Sequence, residues 1–316
     1  MDKSSNQVSK HFSIQQLADG VYAAIHTEGG AAICNAGLIE LGGLLVGFDT
    51  FLTPQAAEDL KQFSLNTFGR APQIVVNSHY HNDHVWGDQV FAKEAQIISS
   101  LGTRRLFDTE GKAELEWYTV HSAQQLENMQ ERLQSCQDEG ERIELIGMCG
   151  YYAGLVEALP NLTVHKPSIT FERSLTLHGE KRCAELITFE NAHTASDTVL
   201  FLPSDGILFM SDLLFVQSHP YLSEGNPDAL LAALRQLSKL DVDCYVPGHG
   251  SLGSKKDIER LNEYVIFCQH AVTEVIDAGG GLDALMEIDL PDEYQPWQMR
   301  QMFRGNLKST YERMKR

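Results

Sequence analysis

Between Gly20 and Thr50 short apolar and β-branched runs, at residues 21–26, 31–41 and 44–49, alternate with glycine turns. That punctuation predicts an antiparallel meander. Pro54 then opens a helical stretch to about Thr67, because a proline at a helix start gives up an N–H that would have no partner there. Short apolar strands follow at residues 73–76 and 95–99. From about Gly102 to Leu159 the pattern changes: the segment is rich in Glu, Gln, Leu, Ala and Met, lacks proline before Pro160, and repeats apolar residues at helical spacing, as at Leu126, Met129 and Leu133. Two or three inserted helices are expected.

Strands resume at residues 168–171, 175–178, 184–189, 198–202 and 207–210, separated by Gly179, Pro203 and Gly206. A helix over 227–240 leads to a strand at 244–246 and the turn Pro247-Gly248-His249-Gly250, after which 255–278 and 294–315 read as helices. Two batches of strands, each followed by helices, predict two βα halves packed sheet to sheet. With 316 residues, 43% of them hydrophobic, the chain can bury a sizeable core. A single domain over 1–316 is expected, with a helical insertion at 102–160 and C-terminal helices at 254–316.

The formal charge of −18 disfavours nucleic acid and anionic membrane as partners, since both draw on Lys and Arg to neutralise phosphates. The acidity is uneven, with five basic and eleven acidic residues over 104–160. The six cysteines, Cys34, Cys136, Cys149, Cys183, Cys244 and Cys268, are widely spaced without a C-x-x-C pair, so free thiols are expected. A polar N-terminus and the lack of any uninterrupted apolar run of membrane-spanning length predict a soluble cytoplasmic protein.

Chemistry concentrates at the end of the strand 73–76. In His79-x-His81-x-Asp83-His84 four metal-competent side chains fall within six residues; His79 and His81 face the same way in an extended segment, and Asp83 and His84 turn toward a neighbouring point. Two adjacent metals are the natural consequence. His193, Asp212 and His249 are each weak signals alone, but each closes a predicted strand.

Together with Asp49 at the end of an early apolar strand, these motifs resemble, in order and over residues 20–250, the metallo-β-lactamase fold superfamily of metal-dependent hydrolases. The resemblance implies an α+β fold, an αββα sandwich with a two-metal site at one edge of its sheets. Carried over by position, it implies that His79, His81 and His193 hold one metal, that Asp83, His84 and His249 hold the other, and that Asp212 bridges both. Asp49 would orient a ligand loop without binding metal. Two divalent cations about 3.5–4 Å apart can share a hydroxide and polarise a carbonyl or phosphoryl oxygen. Asp83 is then the catalytic residue, orienting the hydroxide or carrying its proton.

The chain departs from the family pattern in two places. Asp197 stands in the turn after His193, where the family often has a further histidine, and reads as either a turn residue or a support for a ligand. The second metal lacks a cysteine, so the His/Asp set suits zinc, iron or manganese, with zinc expected. The expected reaction is hydrolysis of an ester-like carbonyl, a lactone, thioester or β-lactam; the alternatives are a phosphodiesterase, an iron-dependent persulfide dioxygenase of the same fold, and a non-catalytic binding module. The expected partner is a small-molecule substrate. The insertion is either a roof supplying Trp117, Tyr118, Tyr151 or Tyr152, or a surface elaboration or homodimer contact. The apolar residues at 294–307 are expected to pack in the core.

Overall fold

The computed structural model describes residues 9–315. In the first sheet β1 (Phe12–Ala18), β2 (Val21–His26), β3 (Ala36–Glu40), β4 (Leu45–Phe48), β5 (Ile74–Val76), β6 (Gln96–Ser100) and β7 (Ile169–Phe171) lie side by side in chain order. Its first four strands pair antiparallel and the pairs from β4 to β7 are parallel. The second sheet runs β8 (Ser174–His178), β9 (Cys183–Glu190), β10 (Ser196–Leu202), β11 (Ile207–Phe215) and β12 (Cys244–His249); β8 to β11 pair antiparallel, β11 and β12 parallel.

Helices cover both outer faces, which makes the αββα sandwich. On the first sheet lies α1 (Pro54–Phe68), with short α2 (Asn82–Val85) and α3 (Asp88–Phe91) following β5. Its start fits the expectation: Thr53 caps the Ala56 N–H, Pro54 takes the first turn, and Gly69 ends the helix at φ 70°. The insertion forms α4 (Leu101–Leu106), α5 (Glu110–Ser135) and α6 (Glu139–Ala158). Against the second sheet pack α7 (Pro227–Leu237), α8 (Lys255–Asp277) and α10 (Met302–Met314), with α9 (Leu282–Met286) between the last two. Ile39, Val46 and Phe48 meet Leu186, Leu200 and Phe209 between the sheets, where each large side chain contributes roughly 1.5–3 kcal/mol.

Several boundaries differ from those the pattern predicts. β1 was hidden in a polar stretch, although Phe12 and Ile14 alternate inward. Residues 31–35 form a loop, with Ile33 at φ 71°. β7 joins the first sheet, because it emerges beside β6 and pairs with it in parallel. β11 continues to Phe215 through a kink at Ser211, φ 47°, so Asp212 lies inside the strand. The helix expected at 294–315 is broken: residues 295–301 are irregular and α10 starts only at Met302. Among the described residues no helix is long and apolar enough to cross a membrane.

Candidate metal centre

The run from His79 to His84 leaves the end of β5 and enters α2, at the edge where the two sheets meet. Asp49, just beyond β4, anchors it. Its Oδ1 accepts the Ser78 N–H at 2.8 Å, and its Oδ2 accepts Ser78 Oγ at 2.8 Å and Ser211 Oγ at 3.0 Å. The same Oδ2 holds His84 Nδ1 at 2.8 Å, leaving Nε2 to face the centre. Asp49 and Ser211 both have positive φ, a conformation that costs energy away from glycine and that these mutual bonds maintain. Asp197 plays both parts considered for it: its carboxylate accepts the N–H groups of His193 and Thr194 and the Thr194 hydroxyl, closing the turn that presents His193.

The side chains converge in two sets. His79 Nε2 lies 3.0 Å and His193 Nε2 3.2 Å from His81 Nδ1. In the other set His84 Nε2 is 3.2 Å and His249 Nε2 3.4 Å from Asp212 Oδ1. Asp83 Oδ2 joins them, 3.4 Å from His249 Nε2 and 3.6 Å from His84 Nε2. Asp212 Oδ2 reaches back to the first set, 3.3 Å from His193 Nε2, so one carboxylate serves both.

Metal ions fit this donor set. His84 Nε2 and Asp212 Oδ1 are buried and make no hydrogen bond despite their proximity, an arrangement that costs about 1–3 kcal/mol per orphaned group unless a cation takes their lone pairs. Burial, reinforced by His84 and His81, holds the His79 imidazole well below its usual pKa, and burial pulls His193 down to about 4. Both rings are therefore neutral near pH 7, as ligation requires, whereas in His84 and His249 burial is outweighed by neighbouring groups, Asp212 and Asp83 among them, which raise the pKa. Burial opposes the charge on Asp212, yet the surrounding His249, His84 and His193 hold its pKa well below the carboxylate range.

Three further groups, Cys34, His26 and Glu224, reach the centre without a signal in the sequence. The Cys34 thiol donates to the Asp83 carbonyl, and burial pushes its pKa up to about 12, so it is neutral. His26 Nε2 accepts the Gly250 N–H at 3.3 Å beside His249, burial pulling its pKa to about 3. Glu224 accepts the Tyr80 hydroxyl at 2.6 Å and faces His81 Nε2 at 3.2 Å. Burial disfavours charge on both partners, but their hydrogen bond raises the pKa of His81 and lowers that of Glu224. No local motif marks these residues; they meet the ligands only through the fold.

Above the centre opens a cavity of about 550 Å³ with His81, Asp83, His193, Asp212 and His249 at its floor. The insertion supplies Glu114, Tyr118, Met148, Tyr151 and Tyr152 to its wall, whereas Trp117 is 43% exposed and stacks on His121 outside it. Trp297, Met299 and Met302 complete the wall, so the segment expected only to pack in the core also faces this space. Phe303 and Leu307 do pack in the core.

A family model described as the metallo-beta-lactamase superfamily matches residues 29–249. The alpha subunit of 2,4-dinitroanisole O-demethylase from Nocardioides sp. (strain JS1661) is 20% identical over 280 residues, 86% of this chain and 66% of that protein, so this chain spans slightly less than two thirds of the relative. Among solved structures, a metallo-beta-lactamase from Pontibacter korlensis superposes with TM-score 0.58 at 15% identity, covering 80% of this chain and 98% of the other. TMB-1 also gives 0.58 at 15% identity, covering 81% and 98%. At such identities these two structures show the shared fold.

Proposed function

The chain belongs to the metallo-beta-lactamase superfamily, and from that premise we propose that it is a two-metal hydrolase of an ester-like carbonyl, with zinc as its metal. The observation that carries this reading is the sharing of Asp212 between two sets of metal-competent side chains at the floor of a cavity. His79, His81 and His193 would hold one ion and Asp83, His84 and His249 the other, with Asp212 serving both. Two divalent cations supply a water of near-neutral pKa and polarise the carbonyl under attack. Asp83, its side chain 12% exposed, would take the proton of the attacking water and pass it to the leaving group. Tyr118, Met148, Tyr151 and Trp297 give the wall apolar surface against which the body of a substrate would pack.

The wall also bears on the substrate. Arg300 is the one Lys or Arg among its described residues, and its guanidinium is already hydrogen-bonded to Gln295. Against that one cation Glu28, Glu114, Glu144 and Glu224 line the same cavity, so a phosphodiester or a carboxylate-bearing β-lactam gains little attraction beyond the floor, which favours an uncharged lactone or thioester with an apolar body. Attack on an electron-poor aryl ether is the second reading, supported by the name of the O-demethylase relative and by the aromatic wall.

The test is a substrate panel. Lactones and thioesters are expected to turn over faster than bis-p-nitrophenyl phosphate or a β-lactam, to lose turnover on chelation and to regain it with zinc. Survival of activity in verifiably metal-free protein, or phosphodiester as the best substrate, contradicts the proposal. Release of phenol from an aryl ether at the highest rate selects the second reading, and oxygen consumption on a persulfide by an iron-loaded protein selects a redox enzyme.

A further inference from the structure

Glu224 belongs to neither ligand set, yet it is tied to one of them. An imidazole that gives its Nε2–H to a carboxylate keeps a free lone pair on Nδ1. In His81 the Nε2 faces Glu224 Oε1 at 3.2 Å, and Nδ1 is the atom that meets His79 and His193. The Tyr80 hydroxyl on Oε2 holds the carboxylate in that orientation. We infer that Glu224 is a positioning residue that fixes the tautomer and direction of His81, and that the C-terminal segment of the chain holds Glu224 in place.

The second half of the inference follows from what pins residues 216–226, the connection between β11 and α7. The His219 N–H donates to the Gln298 carbonyl and the Gln298 N–H to the Gln217 carbonyl, both at 2.9 Å. The buried His219 ring sits between the Tyr264 hydroxyl at 3.0 Å and the Tyr294 carbonyl at 3.2 Å. Asn306, on α10, donates to the Pro220 carbonyl at 2.8 Å and accepts the Leu222 N–H at 3.0 Å. On the other flank Gly225 lies so close to the turn of His193 that a Cβ there would be 1.8 Å from the Ala192 carbonyl oxygen. Tyr264, Tyr294, Gln298 and Asn306 all lie beyond residue 249, where the family match ends. The segment that carries Glu224 is thus held from outside the matched region.

The inference rests on the metal-centre reading, and a titration separates the two. Full-length protein is stripped with a chelator, titrated with Zn²⁺ against a chromophoric competitor, and loaded with Co²⁺ for its visible spectrum. His81→Ala marks which equivalent belongs to the first set. Glu224→Gln is expected to weaken that equivalent about 10–100-fold and to shift the Co²⁺ bands, with the other equivalent changed less than about threefold. Tyr80→Phe and Asn306→Ser, the latter remote from both sets, are expected to weaken the same equivalent by less; melting curves report whether each variant folds. If Glu224→Gln does not fold, Tyr80→Phe carries the first half of the test. Wild-type affinity in Glu224→Gln, or equal weakening of both equivalents, overturns the positioning role, and an unchanged Asn306→Ser overturns the C-terminal part. A wild-type protein that binds no metal would instead refute the metal centre itself.

Discussion

Asp212→Asn is expected to lower turnover at least about a thousandfold, some 4 kcal/mol of transition-state stabilisation, while leaving the fold intact. The two oxygens of Asp212 face different histidines: Oδ1 lies 3.2 Å from His84 Nε2 and 3.4 Å from His249 Nε2, and Oδ2 lies 3.3 Å from His193 Nε2. The amide matches the carboxylate in shape but carries no charge and puts a donor where one set needs an acceptor. Circular dichroism and melting should stay close to wild type while metal content falls from two ions to one or none. Retention of both metals with near-normal turnover would show that Asp212 bridges nothing.

Gly248→Ala should bring the next largest loss without replacing any ligand. A Cβ at residue 248 would stand 1.9 Å from Asp212 Oδ1 and 2.7 Å from the Ser211 carbonyl carbon, both in the kinked part of β11. Gly248 cannot retreat easily, because its carbonyl accepts the Asn35 N–H at 2.7 Å. The carboxylate must therefore move, and displacing it by about 1 Å is enough for a loss on the order of a hundredfold in turnover. Overpacking adds a stability cost of about 1–3 kcal/mol. Gly305→Ala on α10 is the control, since its Cβ would meet nothing within 4 Å and alanine favours a helix. Equal activity and metal content in the two variants would remove the steric argument.

The part of the centre that was legible in the sequence is the part whose residues are neighbours in the chain. His79, His81, Asp83 and His84 declare themselves because four metal-competent side chains in six positions have few other uses. His193, Asp212 and His249 gained meaning only from their order and their places on strands, and the place of Asp212 was misjudged. Ser211-Asp212 reads as the end of a strand, yet Leu213, Leu214 and Phe215 are buried and the strand runs on through the kink. Glu224 was illegible because its partner His81 is 143 residues away. The break at 295–301 was equally hidden: Met299, Met302, Phe303 and Leu307 have helical spacing, but Met299 faces the cavity from irregular backbone. The insertion was visible as helices, whereas its place over the metal centre depends on how α5 and α6 return to β7.

The central claim is that this fold holds two metal ions through one shared carboxylate. The direct measurement is a zinc titration of chelator-stripped, full-length protein, followed by calorimetry and checked by mass spectrometry under native conditions. Two equivalents per chain, reduced to one or none in Asp212→Asn, is the predicted result; a wild-type chain that takes up one ion or none contradicts it.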